Sequence, residues 1–222
     1  MRKLQITEIM LQTQAEFQFP VPFSEAVLTE IVKGVCMSSV GPFINLQDVS
    51  LSSDDELFAY DLTVPMFNGS AELFIDPHNV RVTFKQVRNG EQMKVMIGHL
   101  LPLLKIAVRH PVRRNAVTVW ATGIAESVEA YRDYMHQFTS QGQGIVSGGR
   151  ILISQMPEWS GEFRFATEKW VAHDHGLFLS SQATTEKELS VELLQAMGGK
   201  FNELAACETW EVVVPQKTPY DA

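Results

Sequence analysis

A chain of 222 residues that is 45% apolar and 20% charged can fill one large or two small packed cores, and it is too apolar for a disordered chain. Its 26 acidic and 18 basic residues leave a net charge of -8, which works against non-specific attraction to nucleic acid or an anionic membrane surface. The cysteines, Cys36 and Cys207, are far apart and show no Cys-x-x-Cys spacing, so a cysteine-built zinc site is excluded.

Arg2 and Lys3 are followed by Gln5, Thr7, Glu8 and Gln12, which interrupt the apolar run that a signal peptide needs. The longest apolar stretch, 97–108, contains His99, Pro102 and Lys105 and is too short to span a bilayer. With two unpaired cysteines as well, the expectation is a reduced, cytoplasmic protein.

Taken in chain order, residues 4–19 read as a strand, with alternation at Ala15, Phe17 and Phe19, and Pro20 and Pro22 end it. Ser24 is placed to cap a helix whose buried face is Val27, Leu28, Ile31 and Val35, with Phe23 and Leu28 as a hydrophobic staple. Gly41-Pro42 closes that region. Strands are then expected over 43–51, 57–65, 71–75 and 80–87, joined by polar turns at 52–55, Asn68-Gly69 and 76–79. Short turns imply antiparallel neighbours. After Asn89-Gly90 a helix over 91–108 presents Met93, Ile97, Leu100, Leu104 and Ala107 along one side, and Pro102 should kink or split it. Residues 110–115 read as a connection.

The order then recurs. Residues 116–125 read as a strand, and Ser127 caps a helix burying Val128, Tyr131, Met135 and Phe138. A glycine-rich loop over 141–149 precedes strands at 150–156, 161–167, 169–172 and 176–183. Thr185-Glu186-Lys187-Glu188 has capping-box spacing ahead of a helix with Leu189, Leu193 and Phe201, weakened by Gly198-Gly199. A last edge strand is expected over 210–214. Both halves, 1–110 and 115–215 with a polar tail at 216–222, thus read strand, helix, three or four strands, helix, at an offset of roughly one hundred residues.

This element order resembles the half-unit of TATA-box-binding proteins and is similar to that of the helix-grip proteins related to the birch-pollen allergen. The first resemblance implies one curved sheet with helices on its convex side. The second implies a sheet wrapped around a long C-terminal helix over an apolar cavity. Element order alone carries both, over nearly the whole chain, so no functional residue transfers. The expected fold is α+β: a mainly antiparallel sheet, continuous across two pseudo-duplicated halves, with helices on one face and an unpaired outer strand in each half.

Few constellations offer chemistry. His173 and His175 flank Asp174 and would be weak metal candidates on an extended strand, but Asp174-His175-Gly176 is also turn chemistry, and that reading outweighs the other. The loop 142–149 follows a helix and precedes a strand, the reverse of a phosphate-binding turn. Lys105, Arg109, His110, Arg113 and Arg114 form a cationic cluster that suits a helix C-terminus and is too short for a nucleic-acid stripe. There is no G-x-S-x-G elbow, and His99 reads as a boundary histidine. The helix with Met93, Met96, Ile97, Leu100, Leu101, Leu103 and Leu104 is apolar on more than one stripe, so it is a core helix or also walls a cavity or interface.

Two functional expectations follow. One is a non-enzymatic binding or adaptor protein that holds a protein partner, or a second copy of itself, through a sheet face or edge strand. The other is a small apolar ligand-binding protein or hydrolase with a cavity between sheet and long helix. The candidate contact residues are Met93, Ile97, Leu100, Leu104, Arg109, Arg113 and Arg114. No cofactor is implied, and neither nucleic acid nor membrane is an expected partner.

Overall fold

Strand β1 (Arg2–Phe17) sets the frame of the molecule. Leu4 and Ile6, then after a bulge Ile9, Leu11, Thr13, Ala15 and Phe17, are buried, while the residues between them reach solvent. A strand with one covered face requires this alternation. The computed structural model describes residues 1–53, 60–138 and 150–215. Among them are α1 (Glu25–Cys36), β2 (Ser50–Ser53), β3 (Tyr60–Met66), β4 (Ala71–Ile75), β5 (Asn79–Val87) and α2 (Gly90–Ala107). Next come β6 (Val112–Ala125), α3 (Val128–Met135), β7 (Arg150–Met156), β8 (Gly161–Trp170), β9 (Gly176–Thr185), α4 (Val191–Cys207) and β10 (Trp210–Val213).

The fold is mixed α/β. Nine strands pair antiparallel in the order β2-β3-β4-β5-β1-β6-β9-β8-β7. The tenth, β10, runs parallel to β1 from Arg2↔Trp210 to Gln5↔Val213, along the part of β1 that β5 does not reach. Central β1 and β6 pair along almost their whole length, and β2 and β7 are the outer strands.

The helices lie on the buried side. Phe23, just before α1, meets Tyr60 edge-on; Tyr134 of α3 reaches Thr167; and Phe201 of α4 meets Phe165. α1 and α2 also approach closely, since a Cβ added at Gly34 would lie 3.0 Å from the Ile106 side chain. Each α-helix begins with a side-chain cap: Ser24, Asn89, Ser127 and Ser190 accept from the amides of Val27, Gln92, Ala130 and Leu193. Each cap contributes about 1 kcal/mol of helix stability.

Several boundaries depart from expectation. Residues 43–51 are mostly not strand: Gly41-Pro42 starts one short 3-10 turn, Asn45 caps a second by accepting from Gln47, and extended chain begins only at Ser50. Helix α2 runs unbroken through Pro102, because the carbonyl that loses its donor belongs to Gly98, which is exposed to water. Residues 112–115 are strand rather than connection, held by β1 and β9. The strands expected at 161–167 and 169–172 are one, β8, because β9 pairs along it without interruption up to Trp170↔Gly176. The capping box is not used. Thr185 ends β9, its hydroxyl accepts from the Lys187 amide, and Ser190 caps the helix instead. The last strand expected over 210–214 is β10, which has β1 as its one strand partner among the described residues. The loop 141–149 and the tail 216–222 lie outside the described residues, as does the Phe138 side chain.

Candidate functional site: an apolar cavity between two helices

Helix α2 packs on α1 and β5, and α4 packs on β10. Between them an apolar cavity of about 250 Å³ opens over the middle of the sheet. Its floor is built by strand alternation: Ile6, Ile9 and Leu11 from β1, Val117, Val119 and Ala121 from β6, and Ser181 and Ala183 from β9. Met93 and Ile97, one helical turn apart on α2, form one wall. Leu194, Met197 and Phe201 form the other, at helical spacing on α4, and Val212 and Val214 close an end. None of the lining residues carries a charge.

Two features of this lining were not legible in advance. Ser181 is 5% exposed, yet its hydroxyl makes no hydrogen bond to any described residue. The sequence signal is a broken series: Leu177, Leu179 and Ala183 occupy the covered face of β9 and a serine interrupts them. Gly198 also lines the cavity, and a Cβ placed there would meet no atom within 4 Å. A mid-helix glycine costs about 1 kcal/mol relative to alanine, and no close packing within the chain requires one here.

Of the candidates read from sequence, Met93 and Ile97 come together at this cavity. Leu104 lines a neighbouring cleft of about 650 Å³, whose lip carries Lys105, Glu186 and Glu188. Leu100 is fully buried and lines neither. The arginines lie elsewhere and are matched by carboxylates. Arg113 and Arg114 converge on Glu16, and Arg109 pairs with Glu30 at 3.1 Å while its Nε donates to the Ile106 carbonyl at the end of α2.

The uncovered face of the same strands is polar. A depression of about 350 Å³ there is floored by Ala116 and Thr184 and flanked by the ion pairs Arg114–Glu16 and Arg164–Glu162. With Lys85 on Glu72 as well, these cations are neutralised in place.

A second polar centre is buried beside β8. The Tyr134 hydroxyl donates to Glu208 Oε2 at 3.2 Å and shares a 2.5 Å hydrogen bond with Thr167. Arg150 lies 3.2 Å from Glu208 Oε1. Burial pushes the Tyr134 phenol up to about 12, with the Glu208 charge acting in the same direction. Burial likewise pushes the Tyr60 phenol up, and that hydroxyl donates to the Val21 carbonyl at 2.8 Å.

His173 lies tilted against Trp170, with ring centroids 4.5 Å apart, and accompanies His175 in the turn that joins β8 to β9. Among the described residues no group of three or more His, Cys, Asp or Glu is placed to hold a metal. His99 hydrogen-bonds the exposed Ser39 at 2.8 Å and lies against Phe67. Among the described residues no helix is long and apolar enough to cross a membrane. Neither protein-family models nor curated proteins give a match to this chain.

Proposed function

We propose that this chain is a small-molecule binding protein whose site is the apolar cavity between α2 and α4. One observation carries the reading: a volume of about 250 Å³ is bounded by side chains from both helices and three central strands, with no charged group among the described residues that line it. Dry apolar cavities of this kind take up apolar molecules, because filling one restores contacts that its lining lacks. Gly198 supplies the test. Replacing it with leucine improves helix propensity by about 1 kcal/mol while filling ligand space. The Gly198→Leu variant should melt higher than the parent and lose binding of apolar probes such as 1-octanol. Equal binding by both proteins would end this reading.

A protein partner held at an edge strand is the second reading, and it rests on β7. Ile151 and Ile153, 66% and 58% exposed, project from this outer strand on the uncovered face. An unpaired edge carrying bare isoleucines invites strand addition. Ile153→Lys should abolish any association seen by light scattering; a parent that stays monomeric at high concentration and binds no strand peptide removes this alternative.

The same reading takes the chain as a duplicated unit with the strand order of TATA-box-binding proteins. Its support is that the first strand of each half lies beside the last strand before that half's closing helix: β1 beside β5, and β6 beside β9. A pseudo-twofold axis between β1 and β6 would relate the halves, and would pair α2 with α4 across the cavity.

A further inference from the structure

We propose that the molecule held between α2 and α4 is a neutral aliphatic compound of medium length with one uncharged oxygen, seated so that this oxygen meets Ser181. The proposal rests on the cavity reading above and adds the chemistry of the occupant.

Size comes first. An engineered cavity of about 150 Å³ holds benzene, so by proportion a volume of about 250 Å³ holds on the order of ten carbons. Charge comes second. Among the described residues no Lys, Arg, His, Asp or Glu lines the cavity, so a carboxylate or ammonium drawn into it would lose its hydration with no opposite charge from them in return.

The hydroxyl of Ser181 decides the third point. It sits on the floor, 5% exposed, with no hydrogen-bond partner among the described residues. The hydroxyl faces the open space of the cavity, and a ligand oxygen that accepts from it or donates to it supplies a hydrogen bond that the rest of the lining cannot. Asn202, the other polar lining side chain, is exposed. It stands at the mouth, where water serves it. A hydrocarbon would leave Ser181 as it is, and an alcohol or ketone would not.

The test uses the full chain carrying methyl-labelled methionine. Met93 and Met197 line the cavity, and Met37, 88% exposed, reports on nothing near it. The probes are 1-octanol, n-octane and octanoate at neutral pH. The expected result is that 1-octanol shifts the Met93 and Met197 signals, leaves Met37 alone, and binds more tightly than the other two. Ser181→Ala should weaken 1-octanol roughly two- to tenfold, the range of one hydrogen bond, and leave n-octane unchanged. The n-octane arm shows that the variant keeps its cavity. Equal binding of 1-octanol and n-octane by the parent overturns the polar contact while leaving the cavity reading in place, and so does octanoate binding tightest. Should no probe move either methionine, the cavity reading itself falls.

Discussion

Thr167 and Ser181 stand on neighbouring strands of one sheet, both on its covered face, and are treated in opposite ways. Phe165 is the register partner of Ser181, and Thr167, two residues further along β8, is one diagonal step away. Over Thr167 sits Tyr134, which joins it to Glu208 and through Glu208 to Arg150. Over Ser181 sits a cavity. The same layer therefore pairs a hydroxyl at one position and turns another toward open space at the next. The Ser181 hydroxyl faces open space, and under the cavity reading proposed above a ligand oxygen is the partner it meets there.

The largest effect expected from the paired side is a packing effect. Phe165 is 1% exposed and meets Phe201 edge-on with centroids 5.4 Å apart, so it fills the gap between the two centres. Phe165→Ala should cost about 3–5 kcal/mol, read as a shift of the urea midpoint. A cost near zero would mean that the two regions are not separated by close packing. Next comes Glu208→Ala, which removes one hydrogen-bond partner of the Tyr134 hydroxyl and leaves Arg150 without its carboxylate; Tyr134 keeps Thr167 and Arg150 is half exposed and rehydrates, so about 2 kcal/mol is expected.

Much of this architecture was legible in the residues, and the parts that were not share a cause. Alternating patterns gave β4 and β7, and Ser24 and Ser127 gave the starts of α1 and α3, because each is decided by neighbours along the chain. The run 43–51 was misread because its apolar residues fit a strand, while Asn45 and Pro42 favour tight turns that only the packed chain selects. Pro102 did not break α2, since the carbonyl that loses its donor belongs to the exposed Gly98, and solvent exposure is not written in a helix pattern. Met93 and Ile97 were found as an apolar stripe, but their facing wall, Leu194, Met197 and Phe201, belongs to a helix nearly one hundred residues away. Ser181 acquires meaning only when α2 and α4 are known to stand apart above it.

Alkaline titration gives a smaller effect and tests the paired side again. The Tyr134 phenol is pushed up to about 12 in the folded chain against the ordinary 10. A raised folded value means that the unfolded chain releases its proton first as pH climbs. The stabilising difference is therefore fully present below pH 10 and is lost between about pH 10 and 12, amounting to about 2–3 kcal/mol. Unfolding free energy should fall over that window. Tyr60 and Tyr131, also pushed up by burial, contribute in the same direction, so the informative measurement is the part of the slope removed by Tyr134→Phe. An unchanged slope in that variant would mean that the phenol is already ionised or solvated, and the polar centre would lose its leading member.

The smallest effects decide the comparison most directly. Thr167→Val keeps shape and removes a hydroxyl that is bonded to Tyr134, so it should cost about 1 kcal/mol. Ser181→Ala removes a hydroxyl that bonds to none of the described residues, so the expected change is within about 0.5 kcal/mol and can be a gain. Both measurements belong in the absence of added ligand, by denaturant unfolding with the slope checked for constancy. If Ser181→Ala costs as much as Thr167→Val, the serine has an internal partner after all and its hydroxyl is not waiting for a ligand. If it costs nothing while the same change weakens an alcohol in the cavity, the hydroxyl contributes to binding and not to folding, which is what separates a site from a core.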